Sequence, residues 1–273
     1  TEIGNAGAIL RGLKKEHQIF ICELAAYKKG EIKSACKFVK PQIGILTGIN
    51  QQHLSLFGSQ QNIIDAKFEL IEALPEDGAA FFNERNKFCL ELYQKTKIRK
   101  FLYGKQAGSA GEENILGAIA VARELGMTEE EIQEAVRKIG NSFPGIKVRN
   151  GINGLKIVDA TYSSNPDGIM AHLDYLKQWK GKKVLVMFGL IELGSASSEI
   201  YRKIGERVKE ICDLAIITTE DGFNDLKAGG GEKVILMKDP LIIFEKIKNF
   251  CQAGDVVLLE SRVPVKLKEL LLQ

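Results

Sequence analysis

Two polar residues near the start of the chain follow apolar runs and could hold a cation. Glu23 closes the run Ile19–Glu23, and His53 follows a second run, Ile43–Thr47, after a short loop. A carboxylate and an imidazole at neighbouring strand ends could coordinate a cation or orient magnesium that is bound to phosphate. The more ordinary interpretation is a solvated glutamate and a hydrogen-bonded histidine, and the spacing alone favours it.

A second group of candidate residues lies in the back half of the chain. Asp159 ends an apolar run and is followed by Tyr162 and by Asn165-Pro166. Asparagine followed by proline is typical of a helix N-cap and first helical position, and the free N–H groups there can face an anion. A carboxylate, an aromatic ring and a helix start therefore converge, although capping alone would account for Asn165. Lys67 lies in a predicted helix, where a solvated surface lysine is the default.

The elements that position these residues are short apolar strands that alternate with helices. Strands are predicted in the front half at Ile19–Glu23, Ile43–Thr47, Ala79–Asn83 and Ile98–Tyr103, and in the back half at Leu155–Ala160, Val184–Phe188, Leu214–Thr218, Lys233–Met237 and Asp255–Glu260. Helices are predicted at Ile63–Leu74 and Asn114–Leu125, from Thr128 with a capping box to Glu131, and from Asn165. Near-continuous apolar strands separated by amphipathic helices predict an α/β fold with a mostly parallel sheet covered on both faces.

A domain boundary is predicted at Phe143-Pro144-Gly145, which divides the chain into residues 1–144 and 145–273. Two segments of small residues, Gly104–Gly111 and Ala228–Gly231, have the composition of flexible linkers. No GxGxxG follows the first strand of the back half, which argues against a dinucleotide oxidoreductase.

Composition excludes several classes of partner. The net charge is +3, from 38 basic and 35 acidic residues, and no basic stripe with interleaved aromatics suggests a nucleic-acid partner. The apolar runs are too short to span a bilayer, so no membrane insertion is expected. Five scattered cysteines without a CxxC pair predict buried thiols in a reducing cytosol. With no leader-like N-terminus, this favours a cytoplasmic location.

Several segments, in this order, resemble Mur ligases: Ile21–Ala25, Gly30–Ile32, Lys40–Ser59, Ala66–Leu70, the strand ending in Asn83, Asn114–Gly126, Val158–Asp167 and Leu190–Gly194. The resemblance covers nearly the whole chain. It is closest to the branch that adds a dipeptide to a UDP-muramoyl-tripeptide in cell-wall synthesis. It implies an incomplete P-loop-type ATPase central domain followed by a Rossmann-like C-terminal domain.

The resemblance also implies a reaction and roles for individual residues. ATP would phosphorylate a substrate carboxylate, and an amine would attack the acyl phosphate with help from Mg²⁺. Glu23 and His53 would help hold magnesium, and Lys67 would be the lysine that the family carbamylates. Asn83 would face the adenine, and Asp159, Tyr162 and Asn165 would close over the nucleotide. In this context the functional interpretation of Glu23, His53 and Lys67 outweighs the ordinary one.

The chain departs from the family pattern at several places. Mur ligases carry a P-loop ending in Gly-Lys-Thr/Ser, and no such sequence occurs here, so phosphate binding should be weakened. The family usually has a β-rich segment where this chain has only Gly104–Glu113. Ile146 stands where the family usually has an arginine, and Tyr201 stands where it usually has a histidine. We therefore expect the chain to fold but not to turn over ATP alone.

The function expected from the resemblance is amide-bond formation between a UDP-muramoyl-peptide-like acid and an amino acid or dipeptide. The partners would be small molecules, and the protein is expected to be a monomer. Three alternatives stay open: a folylpolyglutamate-type or cyanophycin-type ligase, a non-catalytic module that binds a nucleotide or a partner protein, and a structural fragment. Product analysis with candidate acids separates the two ligase hypotheses.

Overall fold

The computed structural model describes residues 2–107, 112–139, 146–161, 165–190 and 192–273, and for Glu2 and Ile3 the backbone alone. The chain divides into two compact units, Thr1–Lys138 and Ile139–Gln273. The boundary predicted at Phe143–Gly145 lies outside the described residues, as do residues 108–111 of the segment Gly104–Gly111.

The first unit is built on a three-stranded parallel sheet with helices around it. In chain order its elements are α1 (Glu2–Gly12), α2 (Glu31–Val39), β1 (Ile43–Leu46), α3 (Leu54–Phe57), α4 (Gln60–Glu72), β2 (Ala79–Asn83), α5 (Lys87–Lys95), β3 (Arg99–Tyr103), α6 (Glu112–Glu124) and α7 (Glu129–Ile139). The strand order is β1-β2-β3, and Leu46 lies opposite Phe82 while Asn83 lies opposite Tyr103.

The central strand β2 is buried on both faces, because its residues alternate between two apolar clusters. Ala80 and Phe82 pack with α4 and α5 on one face, whereas Ala79 and Phe81 pack with Tyr103 and residues of α6 on the other. The edge strand β3 is only partly buried. The prediction of a buried strand here was therefore right about its position and wrong about the extent of its burial. A strand at the edge of a sheet has a neighbour on one side only.

The prediction of a buried strand at Ile19–Glu23 was wrong. This segment has no helical or strand structure, and the side chain of Ile21 is 90% exposed. An apolar run becomes a buried strand only where a neighbouring strand or helix covers it. None of the described strands pairs with this segment, so the apolar pattern alone was misleading.

The second unit contains a six-stranded sheet covered on both faces. Its elements are β4 (Lys147–Asn150), β5 (Lys156–Ala160), α8 (Pro166–Tyr175), β6 (Lys183–Met187), α9 (Ser197–Ile211), β7 (Leu214–Ile217), α10 (Phe223–Gly230), β8 (Val234–Leu236), α11 (Pro240–Phe250), β9 (Val256–Glu260) and α12 (Val265–Leu271). The strand order is β4-β5-β9-β6-β7-β8, and only the pairing of β4 with β5 is antiparallel. The predicted α/β class with mostly parallel sheets is confirmed.

The last strand, β9, inserts between β5 and β6. Its terminal residue Glu260 lies opposite Ala160 of β5 and Met187 of β6, so three parallel strands end at the same edge. The helices α8 and α9, which follow β5 and β6, pack on one face of the sheet, whereas α12, which follows β9, packs on the other. The carboxyl ends of strands at such a change of face are where open α/β sheets bind ligands. The sheet therefore brings Asp159 and Glu260 to the edge where a ligand would be expected.

The segment Ala228–Gly231 is not a flexible linker. Ala228, Gly229 and Gly230 form the end of α10, which packs closely against α9. A Cβ atom on Gly205 of α9 would lie 2.1 Å from the backbone oxygen of Leu226, and one on Gly229 would lie 2.3 Å from that of Arg202. Glycine serves here to let two helix backbones touch, which composition alone does not distinguish from flexibility.

Two further expectations concern the chain as a whole. All five cysteines are free; three are buried, whereas Cys22 and Cys251 are half-buried. None of the helices in the described part of the chain is long and apolar enough to cross a membrane.

Candidate functional site

Lys67 lies on α4 next to the buried core of the first unit. Ser59 caps this helix by accepting a hydrogen bond from the backbone N–H of Asn62 at 3.1 Å. Helical spacing then turns Ile63, Ile64 and Ala66 towards the core and leaves Lys67 half-buried beside them. The default of a solvated surface lysine is therefore wrong.

The surroundings of Lys67 favour its neutral form. Burial lowers the pKa of the Lys67 ammonium below its ordinary value, and the negative charge of Glu23 partly opposes this shift. Glu23 is exposed, and its backbone oxygen accepts a hydrogen bond from the Asn5 side chain at 3.3 Å, which ties the segment to α1. The structure thus brings two predicted site residues, Glu23 and Lys67, within electrostatic reach of each other.

His53 precedes α3 in a left-handed backbone conformation, with φ at 60°. A non-glycine residue in this region carries a backbone cost, and such conformations cluster at functional sites. The imidazole lies edge-to-face against Tyr27, with ring centroids 4.7 Å apart. The sequence did not predict this contact, because a tyrosine between an alanine and two lysines carries no signal for it.

Asn83 ends β2 and is buried, and its amide makes hydrogen bonds within the chain. Its Nδ2 donates to the backbone oxygen of Thr47 at 2.8 Å, and its Oδ1 accepts from the backbone N–H of Arg85 at 3.0 Å. These bonds hold the end of β2 to the loop after β1. They give Asn83 a structural role that the sequence did not predict.

The first unit contains side chains that could serve as ligands for magnesium. Among the residues that the structure describes, no group of three or more His, Cys, Asp or Glu side chains is arranged to hold a metal ion. Magnesium at phosphoryl-transfer sites needs only one or two carboxylates, because substrate phosphates and waters complete its shell. The exposed Glu23 carboxylate beside Lys67 fits that requirement, and a carbamate on Lys67 would add a second.

In the second unit, Asp159 belongs to a closed set of hydrogen bonds at the end of β5. Lys268 of α12 donates to its Oδ2 at 2.7 Å, and the Thr161 hydroxyl donates to its Oδ1 at 2.7 Å. Lys268 also donates to the Thr161 hydroxyl oxygen at 3.2 Å. Burial raises the pKa of Asp159, but the hydrogen bonds from Lys268 and Thr161 outweigh it, so the net shift is downward.

Asn165 caps α8, as the Asn-Pro pair predicted. Its Oδ1 accepts a hydrogen bond from the backbone N–H of Gly168 at 2.9 Å, and Pro166 is the first helical residue. The capping role is thereby established, and a nucleotide contact stays a prediction. Tyr162, the third residue of this group, lies outside the described residues.

A buried pair that the sequence did not predict joins α8 to the end of β9. His172 Nδ1 lies 2.7 Å from Glu260 Oε2, and the two side chains are 7% and 0% exposed. The two residues are 88 positions apart in the sequence. No local pattern links them, so only the topology of the sheet could have revealed the pair.

The two positions that depart from the family pattern are both buried in the second unit. Ile146 packs into the apolar cluster on one face of the sheet. Tyr201 fills the space over Gly222, and its hydroxyl donates to the backbone oxygen of Leu190 at 3.0 Å. Burial raises the pKa of Tyr201 to about 12.

Comparison with known proteins assigns the chain to a family. The Mur ligase middle domain matches residues 1–144, and the Mur ligase glutamate ligase domain matches residues 146–262. A UDP-N-acetylmuramoyl-tripeptide–D-alanyl-D-alanine ligase of Synechocystis sp. is 27% identical over 96% of this chain. The chain spans 63% of the length of that relative.

Solved structures agree with this assignment. MurF ligase from Thermotoga maritima in complex with ADP superposes with a TM-score of 0.80 at 25% identity, covering 96% of this chain and 69% of that one. MurF from Acinetobacter baumannii shares the fold, with a TM-score of 0.84 at 22% identity over 98% of this chain and 66% of that one. The resemblance inferred from the sequence is confirmed, and the chain belongs to the Mur ligase family.

Proposed function

We propose that the chain forms the ATP-binding and C-terminal domains of a ligase that joins an amino acid or a dipeptide to the carboxylate of a UDP-muramoyl-peptide. The matches to both Mur ligase domains support this, and the similarity to the D-alanyl-D-alanine ligase of Synechocystis favours D-alanyl-D-alanine as the amine. The single structural observation that carries the proposal is the half-buried Lys67 beside Glu23.

The proposed reaction has two steps. The γ-phosphoryl group of ATP is transferred to a carboxylate oxygen of the acid, which gives an acyl phosphate and ADP. The amine nitrogen then attacks the acyl carbon, the phosphate leaves, and the nitrogen loses a proton. The main physical demand is to neutralise the charge on the transferring phosphoryl group, which Mg²⁺ supplies when bound.

Lys67 is proposed to act as a carbamate. A neutral amine adds to the carbon of CO₂ and loses a proton, which turns a cation into an anionic oxygen ligand. The lowered pKa of Lys67 favours this, because a larger fraction of its side chain is the neutral nucleophile at a given pH. Glu23 and His53 are proposed to complete the protein's share of the magnesium site.

The remaining site residues are proposed to contact the nucleotide. Asn83 is assigned to the adenine, and Asp159, Tyr162 and Asn165 are assigned to the nucleotide from the C-terminal domain. We further propose that the substrates are small molecules of peptidoglycan precursor synthesis and that the protein acts in the cytoplasm. We propose a monomer, because each proposed role is filled by a residue of one chain.

Nucleotide binding is the first test. Isothermal titration calorimetry with Mg-ADP and Mg-ATP compares the wild type with Lys67→Met and with Lys33→Met, an exposed lysine on α2. We expect micromolar binding that Lys67→Met weakens at least about tenfold, which corresponds to about 1.4 kcal/mol, and that Lys33→Met leaves unchanged. No binding by the wild type, or equal binding by all three proteins, would refute the proposed site.

Two further measurements separate carbamylation from the choice of substrate. In ¹³C-bicarbonate, an NMR carbamate signal should be present in the wild type and Lys33→Met and lost in Lys67→Met. Mass spectrometry of mixtures with ATP then compares UDP-muramoyl-tripeptide plus D-alanyl-D-alanine with a folate plus glutamate. As the sequence led us to expect, the chain alone should form no amide. An amide of the muramoyl acid would support the assigned substrate and overturn that expectation, and an amide of the folate would place the chain in a different branch.

A further inference from the structure

The Asp159 carboxylate is nearly enclosed at the edge of the C-terminal sheet. Its side chain is 6% exposed, and both oxygens accept hydrogen bonds, Oδ1 from Thr161 and Oδ2 from Lys268. Lys147 of β4 lies opposite Asp159 in the sheet register and is exposed. The cation that reaches the carboxylate is therefore Lys268, which belongs to a different element.

Lys268 is held in place by the helix that carries it. Its neighbour Leu267 and the next-turn residue Leu271 are fully buried in the apolar cluster under α12. The Lys268 side chain itself is only 31% exposed. An ion pair between mobile surface chains contributes little, whereas a cation fixed beside an enclosed carboxylate sets both its charge and its orientation.

We propose that Lys268 is a positioning residue for Asp159: it holds the carboxylate ionised and oriented, through a direct bond and through the shared Thr161 hydroxyl, for its contact with the nucleotide. This rests on the proposed function, which gives Asp159 that contact. Without Lys268, the enclosed carboxylate lacks its cation and takes up a proton more readily. The protonated Asp159 carboxyl then offers a hydroxyl group at the position where the nucleotide otherwise meets a hydrogen-bond acceptor.

The test measures the ionisation of Asp159 directly. With ¹³C-labelled aspartate, the Asp159 carboxyl signal, assigned by its loss in Asp159→Asn, is titrated in the folded protein. Lys268→Met should move the midpoint upward by at least about one pH unit, while Lys268→Arg keeps it close to the wild-type value. Lys266→Met, an exposed lysine on the same helix, is the matched control and should have no effect.

Affinity for ADP provides the second measurement. Lys268→Met should weaken ADP binding at least about tenfold at neutral pH, and lowering the pH should weaken it further than in the wild type. Lys268→Arg should restore binding. If Lys268→Met does not fold, Lys268→Gln takes its place, and cooperative thermal unfolding is required of every variant.

The outcomes distinguish this inference from the proposed function. An unshifted Asp159 midpoint in folded Lys268→Met overturns the role of Lys268, whatever happens to ADP. A shifted midpoint with unchanged ADP affinity also overturns it, because the pair then serves the fold alone. If the wild type does not bind ADP, the proposed function fails, and a midpoint shift then shows only that the pair exists.

Discussion

Removing either partner of the buried pair His172–Glu260 should destabilise the C-terminal unit strongly. The Nδ1–Oε2 distance is 2.7 Å, and the Glu260 side chain is fully buried. Replacing His172 by Phe removes this bond from the buried Glu260 carboxylate, and replacing Glu260 by Leu removes it from the buried imidazole. Loss of one partner of such a pair costs about 3–5 kcal/mol.

That loss is large relative to the total stability of a domain. A typical domain has a free energy of unfolding of about 5–15 kcal/mol, so each single variant should lose roughly a fifth of it or more. The melting temperature should fall by about 10 °C or more. The double variant His172→Phe/Glu260→Leu removes both polar groups, and it should recover most of the loss, because apolar replacements of a buried pair are often neutral.

Urea unfolding followed by tryptophan fluorescence measures the stability of the second unit, which contains the pair. The chain has one tryptophan, Trp179, and it packs edge-to-face against Tyr175 with ring centroids 5.4 Å apart. A pure stability change moves the urea midpoint and leaves the slope unchanged. Lys203→Met, which removes an exposed pair with Glu199 in the same unit, is the control and should leave the midpoint unchanged.

Two results would refute this reasoning. If each single variant lowers the free energy of unfolding by less than about 1 kcal/mol, the pair is more accessible to water, or its hydrogen bond is weaker, than the structure implies. A double variant whose loss equals the sum of the two single losses would show that the residues do not interact, since coupled residues depart from additivity.

Three further predictions concern helix packing, capping and the candidate site. Gly205→Ala places a Cβ 2.1 Å from the backbone oxygen of Leu226 and should cost about 1–3 kcal/mol in the urea assay; an unchanged midpoint would mean that α9 and α10 can separate freely. Asp239→Ala removes the acceptor for two backbone N–H groups at the start of α11 and should cost about 1 kcal/mol, which Asp239→Asn should largely restore. Glu23→Gln removes a charge that raises the pKa of Lys67, so the pH midpoint for acetylation of Lys67, read by mass spectrometry, should fall; a rise would contradict the assigned interaction.

Local patterns predicted most of the fold because the signals that define each element lie within a few residues. The capping box at Thr128 forms as expected, with hydrogen bonds between Thr128 and Glu131 in both directions. The Asn-Pro pair at Asn165 likewise begins α8. β4 was missed because all four of its residues are exposed. An edge strand of this kind depends on its partner β5 and carries no apolar run of its own.

The candidate site was less predictable, because its contacts join distant parts of the chain. Lys268 is 107 residues from Thr161, and no spacing rule connects them. The functional interpretation of Lys67 came from a resemblance to a family, whereas its pattern indicated a solvated lysine. Burial, which lowers its pKa, depends on how α4 packs in the first unit, and a single helix does not determine that.

The two acids at the edge of the C-terminal sheet serve opposite faces of it. Asp159 lies opposite Leu259 in the register, so Glu260, one position further along β9, points to the other face. Leu259 belongs to the apolar cluster that contains α12, whereas Leu258 belongs to the cluster that contains α8. Each carboxylate therefore meets the helix that covers its own face, Asp159 through Lys268 and Glu260 through His172. Because the sheet lies between them, the buried His172–Glu260 pair and the Asp159–Lys268 pair, in which the Lys268 side chain is 31% exposed, are separate interactions.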